Sequence, residues 1–431
     1  MTGMIRNISW LTLGNVTVKP VWFVFMTFVC WRALGGREYG VMVAALALAI
    51  VVVNLVNLGT SEFSVREVAR NRDDASLYFS NFFLLRGVTT VLGLMLVVVI
   101  GFFLGYRDGD MVALIFAGCY AVAQSLTSLC HAYYHAFETF KYEAVSVIVE
   151  KLLTVGLAST LLFVEGRAAW VLAGLAIGML LTMSGNMVWL SRRFAKLQPS
   201  LFDRGFLRQA LPQALPLGLA GVFVLLYYRT GSVLVEALAG EVPAGQYGLA
   251  YRFMEALIFL PTLVVAVFLP RLSRLFGDRD YTQFRHLLGR GSGFLGSSSV
   301  VIALALTLAA PAIIRFIDPT PEAAPAVLAL QILVWSFPFS SLAYLLVTAL
   351  TAMNEQTSLA WMLGLAAAFN IALNAALIPA YSLYGACVAT LVTQGLLVLV
   401  MTWRYLKATT EETPEAADLE RQSDTALTSS G

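Results

Sequence analysis

The chain has 431 residues, of which 59% are hydrophobic and 13% charged, with a mean hydropathy of +0.77. Soluble chains carry roughly 25% charged and about 45–50% apolar residues, and a surplus of this size cannot be hidden because burial saturates with chain size. The composition excludes a soluble enzyme, a nucleic-acid-binding domain and a secreted disulfide scaffold, while the formal net charge of +2 says little without its distribution.

Apolar windows bounded by charge predict twelve membrane-spanning helices, at 8–31, 39–61, 81–104, 111–135, 144–164, 168–190, 209–235, 245–269, 291–316, 326–350, 357–378 and 383–406. They lack the ten-residue alternation of barrel strands, and a helix satisfies its own backbone in lipid. The first run is long, carries Lys19 and Pro20 and leads into further runs, so it is not read as a cleavable signal peptide. Connections are short, the longest being 191–208 and 270–290. The tail 409–431 is polar, acidic and free of aromatics, and is expected to be disordered. Cys30, Cys119, Cys130 and Cys387 are isolated and read as small apolar residues.

With the N-terminus in the cytoplasm, 18 of the 28 Lys and Arg residues fall in cytoplasmic segments and 5 on the opposite side, the remaining five lying within spans. This asymmetry places both termini in the cytoplasm. The chain also repeats itself. Tyr39-Gly40 and Tyr247-Gly248 open spans 2 and 8; Arg70 and Arg86 match Arg274 and Arg290; AFETFKYEA at 136–144 matches AMNEQTSLA at 352–360. The offsets agree near 204–216, so a duplication is expected. Six spans per half give both halves the same topology, related by an axis along the membrane normal. The expected fold is therefore an all-α polytopic membrane protein. A six-helix lobe at 1–190 is joined by a basic cytoplasmic linker at 191–208 to a second lobe at 209–408, followed by the tail 409–431.

Charges within spans are the informative residues, because each costs at least about 2.5–3.5 kcal/mol at a helix centre. They are Lys19, Arg86, Glu150, Lys151, Arg229, Arg252 and Glu255, five cations against two carboxylates. Lys19 falls near the midplane. Arg229 and Arg252 sit at similar depth in adjacent spans, with Glu255 on the face of Arg252 at i,i+3. Arg86 matches the cytoplasmic Arg290 and is expected to snorkel toward the interface. Glu150 and Lys151 point about 100° apart on a helix and need not pair. Prolines punctuate spans 1, 7, 8, 9 and 10. Asn54 and Asn57, and Asn370 with Asn374, read first as interhelical hydrogen-bonding groups. His131 and His135 have i,i+4 spacing but no convincing further ligand, so no metal site is expected, and no nucleotide-binding or other cofactor motif is present in the sequence. Any driving energy must then come from an ion gradient, the membrane potential or the substrate gradient.

The segments AGQYGLAYRFMEALIFLPTLVVAVFLPRLSRL, RALGGREYGVMVAALALAIVVVNLVNLGTSEFSVREVAR and IPAYSLYGACVATLVTQ resemble the polysaccharide (lipid-linked oligosaccharide) flippases of the multidrug/oligosaccharidyl-lipid/polysaccharide (MOP) exporter superfamily. The resemblance covers about 400 residues. It implies a V-shaped, two-lobed, MATE-like transporter, not an enzyme, that moves an undecaprenyl-pyrophosphate-linked sugar unit across the bacterial inner membrane by alternating access. It also implies a lipid-linked glycan substrate and the bilayer as partners, glycan polymerase and chain-length proteins as further ones, and a monomer. A cationic interior suits an anionic pyrophosphate. Lys19, Arg229, Arg252, Arg86 and Lys151 are accordingly the candidate substrate-binding residues, with Glu255 and Glu150 as candidates for proton or ion coupling. The alternative is a cation-coupled multidrug exporter of the same superfamily, which generally relies on intramembrane carboxylates. Peptidoglycan-precursor flippases usually carry fourteen spans rather than twelve, and a non-transporting scaffold would not need buried bases.

Overall fold

A computed structural model describes residues 17–411; the first residues of span 1 and the tail beyond 411 lie outside them. Every regular element among the described residues is helical. The first apolar helix, Thr17–Leu55, is broken at Gly35 (φ 71, ψ 175) into α1 (17–34) and α2 (36–55). Residues eight apart on a straight helix are separated by about 12 Å along its axis, yet the Trp31 and Tyr39 ring centroids lie 5.3 Å apart. The chain therefore folds back at Gly35, in a conformation open to glycine.

The remaining helices are α3 (Thr60–Arg70), α4 (Ala75–Leu104), α5 (Asp108–Ala136), α6 (Phe140–Glu165), α7 (Ala168–Arg193), α8 (Arg204–Ala239), α9 (Glu241–Leu257), α10 (Phe259–Gly277), α11 (Tyr281–Ile317), α12 (Ala324–Leu333), α13 (Ser336–Ala352), α14 (Gln356–Tyr381) and α15 (Leu383–Glu411). Among the described residues, ten helices are long and apolar enough to cross a membrane, or eleven with α12 and α13 taken as one span bent by 43°. Dividing the first at Gly35 gives the twelve expected. Helices overrun the apolar windows because hydropathy marks the lipid slab rather than the helix end. The 37 residues of α11 rise about 55 Å against a hydrocarbon core of about 30 Å, so its first turns, expected within the 270–290 connection, stand in the interface.

The duplication is visible in backbone geometry. Glu138 and Asn354, 216 residues apart, both adopt positive φ, at 57° and 60°. The surrounding bonds repeat with the same offset: Glu138 N–H donates to His135 O and Asn354 N–H to Thr351 O, while Thr139 N–H donates to Tyr134 O and Glu355 N–H to Leu350 O. Gly166 and Ser382, again 216 apart, have φ of 62° and 52°, and Gly240 (φ 97, ψ 176) turns α8 into α9 as Gly35 turns α1 into α2.

Three apolar cores explain the shape. One joins both halves at the end opposite the basic segments, with Trp31, Tyr39, Met42, Tyr247, Leu330 and Phe337. The other two lie toward the basic end, one built on Phe63, Phe79, Phe82 and Tyr133 and the other on Phe284, Leu345, Leu350 and Met401. The halves are fused at one end and keep separate cores at the other, so a cavity opens between them. The linker is tied to the first half: Asn81 Nδ2 donates to Leu201 O at 2.9 Å, and Gln198 N–H to Ser80 Oγ at 2.9 Å. The first turns of α8, through Leu207, Ala210 and Ala214, pack in that half's core, and the helix as a whole also packs on α14, α2 and α9.

Candidate functional site

The closed end is held by backbone proximity. A Cβ on Gly40 would fall 1.8 Å from Glu241 O, and one on Gly245 would fall 2.1 Å from Gly36 O. Small residues let α2 and α9 approach this closely, as in membrane helix pairs generally. Polar contacts follow around this seam. Trp31 Nε1 donates to Asp318 Oδ2 at 2.9 Å, Gly36 N–H to Glu322 Oε1 at 3.1 Å, and Arg37 bridges Asp110 at 3.1 Å and Glu241 at 3.4 Å. The Tyr106 hydroxyl donates to Glu236 across the halves.

Below the seam two chambers meet. The deeper, about 480 Å³, is lined by Lys19, Trp22, Phe23, Tyr228, Arg229, Tyr251, Arg252, Glu255 and Tyr344. The second, about 680 Å³, runs from Asn54, Asn57, Arg86, Gln124 and Ser128 to Glu62, Val65, His135 and Glu143 at the basic end. Gly221, Leu225 and Arg229 of α8 belong to both walls. The two spaces therefore adjoin along α8, with Arg229 at their boundary.

Of the residues singled out from sequence, Lys19, Arg229, Arg252 and Glu255 come together here. Glu255 is shared: Arg252 Nη1 lies 2.5 Å from Oε2 and Arg229 Nη1 2.9 Å from Oε1. The α8–α9 hairpin accounts for this, since Arg229 and Arg252 lie eleven and twelve residues either side of Gly240 and antiparallel helices bring such positions level. That equidistance was the signal available in the sequence. Arg252 is turned into the wall, its side chain 7% exposed against 29% for Arg229. Its guanidinium lies beside the Tyr39 hydroxyl of α2, with neither Arg252 Nε nor that hydroxyl in a well-formed hydrogen bond. Lys19 is exposed to the chamber, its Nζ 4.2 Å from the Phe259 ring centroid, and no carboxylate pairs with it among the described residues.

Two expectations are corrected. Arg86 does not snorkel; it is 1% exposed. Its Nε donates to Thr60 Oγ1 at 2.7 Å, Nη1 to Ser125 O at 2.9 Å and Ser128 Oγ at 3.1 Å, and Nη2 to Ser61 Oγ at 2.8 Å. Its acceptors are the hydroxyls of Thr60 and Ser61 at the start of α3 and of Ser128 on α5, with the Ser125 carbonyl, a set that suits a planar, five-donor fork, so Arg86 pins α3 to α5 within the wall of the second chamber. Glu150 and Lys151 do pair: Lys151 Nζ donates to Glu150 Oε1 at 2.6 Å and lies 4.6 Å from the Trp22 ring centroid. The flexible lysine stem spans the angular offset, and lipid gives the two charges nowhere better to go. Neither lines the deep chamber, though Lys151 touches Trp22, which does.

His131 Nε2 sits 2.9 Å from Ser146 Oγ and His135 Nε2 2.5 Å from Glu143 Oε2. Sequence reasoning missed the tyrosines: Tyr228, Tyr251 and Tyr344 edge the deep chamber, and their aromatic character had read only as apolar. It also missed Glu236, which lay just past the predicted end of span 7.

The model of the polysaccharide biosynthesis protein family matches residues 4–276, and the MatE model matches 216–376. A membrane protein of Methanocaldococcus jannaschii is 21% identical over 93% of this chain and 98% of its own length. Among solved structures, the lipid II flippase MurJ in an inward closed conformation is similar at a TM-score of 0.72 (13% identity, 94% of this chain and 90% of that one). An inward-facing multidrug resistance MATE family transporter of the MOP superfamily is similar at 0.69 (15% identity, 94% and 100%). A MOP superfamily transporter of Pyrococcus furiosus, described as having a binding pocket of reversed polarity, is similar at 0.60 (14% identity, 95% of each). These families and structural neighbours are transporters and flippases. The chain is a multi-pass membrane protein that belongs to the polysaccharide biosynthesis protein family, within the MOP exporter superfamily.

Proposed function

We propose that this protein flips an anionic, undecaprenyl-pyrophosphate-linked oligosaccharide across the bacterial inner membrane by alternating access, in the manner of a secondary transporter. The observation that carries this reading is the charge of the deep chamber. Three cations, Lys19, Arg229 and Arg252, face one carboxylate, Glu255, which both arginines already hold. A cationic drug entering this chamber meets no unpaired carboxylate, whereas a pyrophosphate meets the Lys19 ammonium and the accessible side of Arg229. Hydrogen-bonding groups of the second chamber, including Asn54, Gln124 and Ser128, suit sugar hydroxyls.

In this reading the basic end is cytoplasmic, both termini lie there, and the cavity faces inward. The glycan polymerase and chain-length proteins would receive the product on the far side, and the transporter works as a monomer. Ion coupling through Glu255 requires Arg229 to move away first, and coupling through Glu150 requires Lys151 to do so.

The test uses purified protein in nanodiscs, with quenching of Trp22 at the chamber wall as readout and Trp22→Phe as its control. A long-chain isoprenoid pyrophosphate is expected to bind, with Lys19→Ala weakening it about tenfold or more, as for loss of a charged hydrogen bond. Ethidium is expected not to compete. Tight ethidium binding with no pyrophosphate binding overturns this reading in favour of a cation exporter. Proteoliposomes that fail to flip the lipid-linked glycan despite binding it would overturn the transport assignment.

A further inference from the structure

A third cavity, of about 330 Å³, lies away from the inter-lobe site between α11, α13 and α15. Its depth is apolar, with Leu288, Leu342, Leu346 and Val398, and Arg285 stands on its wall toward the basic end. Both flanking helices present lipid-facing side chains beside it: Phe294 is 63% exposed on α11 and Trp403 62% on α15. Arg285 Nη2 donates to Thr409 O at 3.3 Å, and the guanidinium meets no carboxylate among the described residues.

The internal repeat shows how this groove arises. At the offset of 204 that aligns Arg86 with Arg290, Asn81 corresponds to Arg285, Leu85 to Gly289 and Val88 to Ser292. Asn81 ties the backbone that follows α7 through Leu201 O, as Arg285 ties the end of α15 through Thr409 O. Where the first half carries leucine and valine, the second carries glycine and serine, and a Cβ on Gly289 would meet nothing within 4 Å. Two small residues thus open this groove in the second half, next to a cation toward the basic end.

We propose that this groove is a binding site for an anionic glycerophospholipid, with one acyl chain laid between α11 and α13 and the phosphate held by Arg285. An apolar slot facing hydrocarbon is filled by acyl chain without desolvation cost. A guanidinium at its mouth selects for phosphate with net negative charge, through its planar fork and the attraction of interfacial bases for anionic lipid. The site is independent of which substrate crosses the central cavity.

Native mass spectrometry of the full-length protein, offered phosphatidylglycerol or phosphatidylethanolamine, tests this. One tightly held phosphatidylglycerol per chain is expected, held about fivefold less tightly by Arg285→Gln and not at all by Gly289→Leu. Ser292→Leu, filling the same slot from the next turn, guards against a folding defect in the glycine variant. Equal retention of phosphatidylglycerol by all four proteins overturns the proposal. So does equal affinity of the wild type for both lipids. So does lipid binding that appears only after residues 412–431 are removed, which would make the chain's own acidic tail the occupant.

Discussion

Replacing Glu255 with glutamine removes the carboxylate that two arginines share, while keeping shape and one carbonyl acceptor. The two arms differ in depth. The Arg229 arm borders the chamber at 29% exposure and, screened by water, contributes ~1 kcal/mol or less. The Arg252 arm is buried, with its side chain 7% exposed, so losing its partner leaves a guanidinium uncompensated in the wall. Breaking such a pair costs about 3–5 kcal/mol. Glu255 itself is 26% exposed, which puts the expected loss near the lower end, ~3 kcal/mol. Unfolding in mixed micelles by titration with a denaturing detergent measures it. The double variant Arg252→Met, Glu255→Gln removes the stranded charge along with its partner and is expected to recover roughly half of the loss. Glu255→Gln also raises the chamber's net charge by one, so pyrophosphate-lipid affinity should rise even as stability falls. A loss below ~1 kcal/mol, or a double variant whose loss equals the sum of the two single ones, would refute a buried charge cluster.

Arg86→Met should destabilise the protein by about 3 kcal/mol or more, because four hydrogen bonds to α3 and α5 disappear. Lys19→Ala should leave stability within ~0.5 kcal/mol and weaken anion binding; paired melting and binding curves separate the two roles. Gly40→Val cannot keep the α2–α9 seam, where even a Cβ lies 1.8 Å from Glu241 O. Hydrogen exchange around 241–248 should therefore quicken, and unchanged protection would mean that the seam is not a contact of the resting state. Outside the membrane, the Ser358 hydroxyl, donating at 2.6 Å, and the Arg404 guanidinium hold the Glu355 carboxyl below its ordinary value. A depressed carboxyl stabilises the fold above its unfolded pKa, about 4.3, and that contribution is lost as pH falls through the folded value. The stability gap between wild type and Glu355→Gln should thus be constant near neutrality and close progressively below about pH 5. A gap as wide at pH 3 as at pH 7 would contradict the shift.

The sequence by itself determined the helical membrane fold, the count of spans, the duplication and the inventory of buried charge. Each of these follows from one-dimensional facts: a helix must be apolar for about 20 residues to cross lipid, and a repeat preserves its spacing. The match of 136–144 with 352–360 reappears as the same turn with the same bonds because local backbone geometry is encoded locally. Tertiary structure alone decided what each charge does. Arg86 and Arg229 look alike in a hydropathy profile, but one spends its donors on hydroxyls and a carbonyl of α3 and α5, and the other reaches across a hairpin to Glu255. Glu150 and Glu255 are both intramembrane carboxylates, yet one is held by its sequence neighbour and the other by two arginines, one of them from the helix across a hairpin. A charge in lipid takes the nearest compensating partner, and which partner is nearest depends on helix rotation and on the crossing of segments far apart in the chain. Periodicity in a single sequence does not record either.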